Sequence, residues 1–210
     1  SHYGVLFLDE LPEFNRKALE ALRQPLEDRL ICVSRIKRTL VFPACFILAA
    51  ALNPCPCGNY FSPQKTCHCS QTKIRNYLGR ISGPLLDRID LHIEVPQVKY
   101  QELTDTCQAE SSAAIRQRVE RAREIQLLRF KSQGILCNAQ MSHKLIREYC
   151  VLDKEGRELI RMAIAELALS ARAYDKILKV SRTISDLAGS ADIKTEHLSE
   201  AIQYRSLDRL

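Results

Sequence analysis

Near its start the sequence runs Val5-Leu6-Phe7-Leu8 and then stops on two carboxylates, Asp9 and Glu10. A continuous apolar run, unlike an alternating one, marks a strand buried on both faces. Such strands belong to parallel sheets covered by helices. The carboxylates then fall at the carboxyl-terminal edge of the sheet, and Pro12 breaks the chain just beyond. A second run, 45–52, ends on Asn53-Pro54, and a third, 91–95, is closed by Pro96. Three buried strands separated by helical spacing predict an α/β domain with a parallel sheet.

Between the runs, residues 16–26 place Ala18, Leu19, Leu22 and Leu26 at helical intervals, and Pro25 is expected to end or kink that helix. Residues 31–33 and 39–42 read as short strands around a basic turn, 34–38. Residues 55–70 form a loop rich in Cys, Pro and Gly, and short helices are predicted over 72–78 and 84–88. From about Tyr100 onward only helices are expected. They are an amphipathic, arginine-rich segment over 112–131, a Ser142-capped helix to 149 and a helix over 155–169. A Ser170-capped helix over 171–188 follows, with Gly189 at its end, and then a Thr195-capped helix to 204. Arg116, Arg118, Arg121, Arg123 and Arg129 alternate with Glu120 and Glu124 and suit a solvated helix face. The change of character falls within 97–110, which gives two domains, 1–98 and 99–210.

A chain of 210 residues, 46% hydrophobic, can bury a sizeable core. No apolar run approaches the roughly 20 residues of a membrane span, and residues 4–8 are too short for a signal-peptide core. A cytoplasmic location is therefore expected, with no membrane partner. The net charge of +6 permits an anionic partner without demanding one. Neither G-x-x-x-x-G-K-[ST] nor G-x-G-x-x-G occurs.

Nine cysteines are many, and in a cytoplasmic chain they read as thiols or metal ligands before disulfides. Cys55-x-Cys57 and Cys67-x-Cys69, with nine residues between the pairs, can close a tetrahedral Zn²⁺ site with Zn–S near ~2.3 Å. His68 offers a substitute ligand, and free thiols or a disulfide between the pairs are the alternatives. Cys32, Cys45, Cys107, Cys137 and Cys150 read as small buried residues.

The strand ending in Asp9-Glu10 has a chemistry of its own. An Asp at a strand end can hold a water of a Mg²⁺ shell beside phosphates, and the next carboxylate can polarise an attacking water. Strand alternation would aim the two differently. Residues 4–14, GVLFLDELPEF, together with Ala21-Leu22-Arg23-Gln24-Pro25-Leu26-Glu27-Asp28, carry this Walker B pattern into a longer likeness. So do Asn53-Pro54-Cys55-Pro56-Cys57-Gly58, residues 80–90 (RISGPLLDRID) and residues 170–180 (SARAYDKILKV). In order along nearly the whole chain, these resemble magnesium-chelatase-like AAA+ ATPases of the ComM/YifB family, from the Walker B strand onward.

The resemblance implies a partial AAA+ P-loop NTPase core followed by an all-α lid, with ATP and Mg²⁺ as cofactors. Asp9, acting on Mg²⁺ through water, and Glu10 would be the Walker B pair, and Asn53 would be sensor 1. Arg88 would be an arginine finger for a neighbouring subunit's γ-phosphate, and Arg172 would be sensor 2 on the lid. The local alternative for Arg88 is a surface pair with Asp87 or Asp90. Arg35, Lys37 and Arg38 occupy the position of a hairpin that in related helicases contacts DNA, although a solvated basic turn has the same composition. The implied function is an ATP-driven hexameric ring motor acting on DNA in branch migration. A chelatase-type ATPase that remodels a protein and a zinc-stapled binding module are the alternatives. Because these 210 residues contain no phosphate-binding loop, the chain alone is expected neither to bind ATP tightly nor to hydrolyse it.

Overall fold

A computed structural model describes residues 1–35, 38–60, 65–96, 110–167 and 169–205. The chain divides into two compact units, 1–89 and 90–210. The first unit contains β1 (Val5–Leu8), α1 (Arg16–Ala21), α2 (Arg23–Asp28), β2 (Leu30–Arg35), β3 (Arg38–Pro43), β4 (Ile47–Ala50), α3 (Gln71–Leu78) and α4 (Gly83–Leu86). β1 and β4 are the first two apolar runs, and they pair in parallel with Val5 opposite Ile47 and Leu8 opposite Ala50. β2 and β3 form a separate antiparallel hairpin running from Leu30 opposite Pro43 to Arg35 opposite Arg38.

Burial of the parallel pair is one-sided, not two-sided as its apolar run predicts. Leu8 packs on a core of Leu11, Leu19, Ile81 and Leu85. Val5, Phe7 and Ile47 on the pair remain 60%, 63% and 67% exposed. The single helix predicted over 16–26 is two helices. A proline ring clashes with the carbonyl four residues back, here Ala21, so the break falls at Leu22. Pro25 itself sits in the first turn of α2, where no intrahelical N–H is needed.

The third predicted strand does not form. Residues 91–96 have no ladder partner among the described residues. Leu91, Ile93 and Val95 face solvent, while His92 is buried and its backbone N–H donates to the Tyr204 carbonyl at 2.7 Å. The alternation is present, but the residue turned inward is the polar one.

The second unit is helical: α5 (Ser112–Arg129), α6 (His143–Tyr149), α7 (Lys154–Leu167), α8 (Ala171–Leu187) and α9 (Thr195–Gln203). Ser142 and Ser170 cap α6 and α8 as expected, with Ser170 Oγ accepting from the Ala173 N–H at 3.1 Å. The cap of α9 lies one residue earlier than expected, at Lys194, whose N–H donates to His197 Nδ1 at 3.1 Å. Phe130, Met141, Ile146, Ile160, Ile177 and Leu198 form the core. α5 is less amphipathic than predicted and buries only Ala122 and Gln126.

Arg129 does not lie on a solvated face. Its Nη1 and Nη2 donate to Asp186 at 2.8 and 2.5 Å. Arg182 Nε and Asn138 Nδ2 donate to the same carboxylate at 3.1 and 2.8 Å. The Asp186 side chain is fully buried. Of the scattered cysteines, Cys150 is buried as expected, Cys45 and Cys137 are half-buried and Cys32 is exposed. Cys107 lies outside the described residues. Burial pushes the Cys150 thiol up to about 12. Its thiolate fraction near pH 8 is then on the order of 10⁻⁴, so iodoacetamide should spare Cys150 in the folded protein and label it after denaturation. Labelling of the native protein at the rate of a free thiol, mapped by peptide mass, would contradict this.

Candidate functional site

The parallel pairing continues past the strand ends. The Ala51 N–H donates to the Leu8 carbonyl and the Leu11 N–H to the Ala51 carbonyl, both at 2.9 Å. Asp9-Glu10 and Asn53 therefore leave the sheet at the same end, the carboxyl-terminal edge at which open parallel sheets bind ligands. All three are exposed. Asp9 Oδ1 accepts from the Glu10 N–H at 2.9 Å, which orients the carboxylate. Glu10 has φ 51 and ψ 47, the left-handed region, and opens the 3₁₀ turn Leu11–Glu13. A left-handed turn, not the strand pleat, thus separates the two acids. For a residue with a Cβ this backbone costs roughly 1–2 kcal/mol.

Beside Asn53 lies the cysteine loop. The four sulfurs of Cys55, Cys57, Cys67 and Cys69 all fall within 4.8 Å of one another. Cys55 Sγ is 3.4 Å from Cys57 Sγ and 3.7 Å from Cys67 Sγ, and the latter two are 3.6 Å apart. A tetrahedron with Zn–S of ~2.3 Å has edges of about 3.8 Å, so three thiols already stand near that spacing. The Gly58 N–H closes a turn onto the Cys55 carbonyl at 2.9 Å. Gly58 has φ +75, and a Cβ there would lie 3.9 Å from Asn53 Oδ1, so the turn runs directly against that side chain. The backbone at Asn59 and then the Cys55 thiol pull the Cys57 thiol down to about 6, whereas Cys67, despite the backbone at Cys69, is pushed up to about 12 by burial and its neighbouring thiols, and burial and Cys57 also raise Cys69. Tyr77, on α3, is buried under the same loop. Burial and then the Glu13 carboxylate raise its phenol, while a backbone hydrogen bond at Asn53 opposes them.

Arg88 follows α4, and its side chain is only 10% exposed. Its Nη1 donates to the Pro84 carbonyl at 2.6 Å and its Nη2 to the Glu27 carboxylate at the end of α2. Asp90, one of the expected alternatives, is instead engaged by Lys176 within the helical unit. Glu27 carries no local signal of this pairing, because no spacing ties it to an arginine 61 positions away. Arg172 is the second residue of α8 and is exposed. Arg35 and Arg38 are register partners at the hairpin end, and Arg38 is exposed. Lys37 and the Arg35 side chain lie outside what is described.

The family described as magnesium chelatase, subunit ChlI, matches residues 1–103, and its C-terminal counterpart matches 109–205. The chain is 47% identical over 208 residues to competence protein ComM of Haemophilus influenzae, covering 99% of this chain and 40% of that protein. It is 46% identical over 211 residues to the protein YifB of Escherichia coli, covering all of this chain and 40% of the relative. A protein of Mycobacterium tuberculosis is 37% identical over 205 residues, with 98% and 40% covered. The chain thus spans about 40% of the length of the curated relatives it matches.

Proposed function

The chain belongs to the magnesium chelatase ChlI family, and from that premise we propose that it supplies part of the hydrolytic machinery and the lid of an ATP-driven hexameric ring motor acting on DNA. The observation that carries this reading is the parallel β1–β4 pair, which delivers Asp9, Glu10 and Asn53 to one exposed edge. Bound Mg²⁺–ATP would supply the phosphoanhydride to be cleaved. Asp9, oriented by the Glu10 N–H, would hold a water of a bound Mg²⁺. Glu10, turned away by its left-handed backbone, accepts a proton from the attacking water, and Asn53 orients that water. Arg88 neutralises charge on a neighbouring subunit's nucleotide, and Arg172 contacts the nucleotide from the lid. In this proposal the core runs to residue 98 and the lid begins at 99, a few residues beyond the 89/90 division of the compact units.

Arg35, Lys37 and Arg38 supply phosphate contacts to DNA, supported by the net charge of +6. In the full-length protein, Glu10→Gln should lower ATP turnover at least ~10²-fold while nucleotide binding persists. Turnover retained by Glu10→Gln removes the motor reading. Turnover that DNA does not stimulate transfers it to a protein-remodelling ATPase.

Cys55, Cys57, Cys67 and Cys69 would hold a structural Zn²⁺, their sulfurs standing close enough to share one ion. The sulfur spacing supports this, as does the sparse burial of the loop, in which Cys55 alone among the described residues 55–60 and 65–70 is buried.

A further inference from the structure

Arg88 and Glu27 meet across two elements that follow different strands. Glu27 is the fifth residue of α2, downstream of β1 and its two acids, whereas Arg88 lies just past α4. α4 has only four residues, so it cannot by itself fix a long side chain at its end. The surrounding structure does so. Two of the Arg88 guanidinium donors are committed, one to the Glu27 carboxylate and one to the Pro84 carbonyl. α2 and α4 thus hold the guanidinium from two sides, one of them through a charged partner.

We infer that Glu27 is the positioning residue for Arg88, fixing the guanidinium so that it presents to the adjoining subunit's nucleotide; this rests on the arginine-finger reading above. A planar fork gains its advantage over a point charge from preorientation. Replacing Glu27 by alanine leaves Arg88 in place but releases it to rotate. The chemical step should then slow while binding of nucleotide to the subunit's own site is unchanged.

The test uses the full-length protein. Arg88→Ala should lower kcat by about 10³-fold. Glu27→Ala should lower kcat by ~10- to 10²-fold with KM for ATP within about threefold of wild type, and Glu27→Asp should recover most of the loss. The decisive readout is mixing. Glu27→Ala subunits combined with Glu10→Gln subunits should regain turnover, because an intact site on one then faces an intact Arg88–Glu27 pair on the other. A purely structural Glu27 would damage its own subunit's site and give no recovery. Arg88→Ala with full turnover sinks the finger reading and this inference with it. Arg88→Ala inactive but Glu27→Ala fully active, or unrescued by mixing, overturns the role of Glu27 alone. If Glu27→Ala melts far below wild type, the isosteric Glu27→Gln carries the same mixing test.

Discussion

Replacing Asp186 by asparagine lowers the stability of the helical unit by about 3–5 kcal/mol, the usual effect of removing one partner from a buried ion-pair network. The carboxylate is fully buried and faces two guanidiniums, those of Arg129 and Arg182, together with the Asn138 amide. Arg182 also donates to the Ala191 and Ser190 carbonyls at 2.7 Å, which ties the end of α8 to the chain beyond it. Without the negative charge, two cations stay in the interior with no counter-charge. Urea denaturation of the 210-residue chain, followed by circular dichroism, measures the change. Glu158→Gln, which removes an exposed pair with Arg161, is the control and should leave the midpoint unmoved. A loss below about 1 kcal/mol for Asp186→Asn would mean that water reaches the site and the network contributes little.

Cys55→Ser should abolish zinc retention. Protein purified under reducing conditions is expected to carry about one zinc per chain, and the variant almost none. A structural zinc is worth on the order of 10 kcal/mol or more to the segment it folds, so loss of the metal should also open residues 55–70 to protease. Cys55 is the most deeply buried of the four and closes the turn beside Asn53. A strong chelator should reproduce the protease sensitivity in the wild-type chain. Cys45→Ser, half-buried and outside the cluster, should keep its metal. Equal zinc content in wild type and Cys55→Ser rules the cluster out as the site.

Much of this was legible in the sequence where the signal is local. The runs at 5–8 and 45–52 became parallel partners because short apolar segments bounded by polar residues leave few other solutions. The C-x-C pairs converged because the loop that joins them is short. What could not be read depends on distant partners. Residues 91–95 have the composition of a strand but lack a ladder to join, and an isolated extended segment gains nothing from β propensity. Arg129 looked like one charge among five on a helix face, and the Asp186 carboxylate, 57 positions on, draws it inward together with the buried Asn138 side chain. Arg88 behaves alike, because its partner Glu27 comes from another helix.

The left-handed backbone at Glu10 also bears on engineering. Glycine is the one residue that occupies this region without steric penalty, so Glu10→Gly relieves strain there. Selection of random variants for heat tolerance alone would therefore enrich glycine at the position and silently discard the proposed proton acceptor. Any stabilisation campaign on this protein needs a turnover screen running beside it.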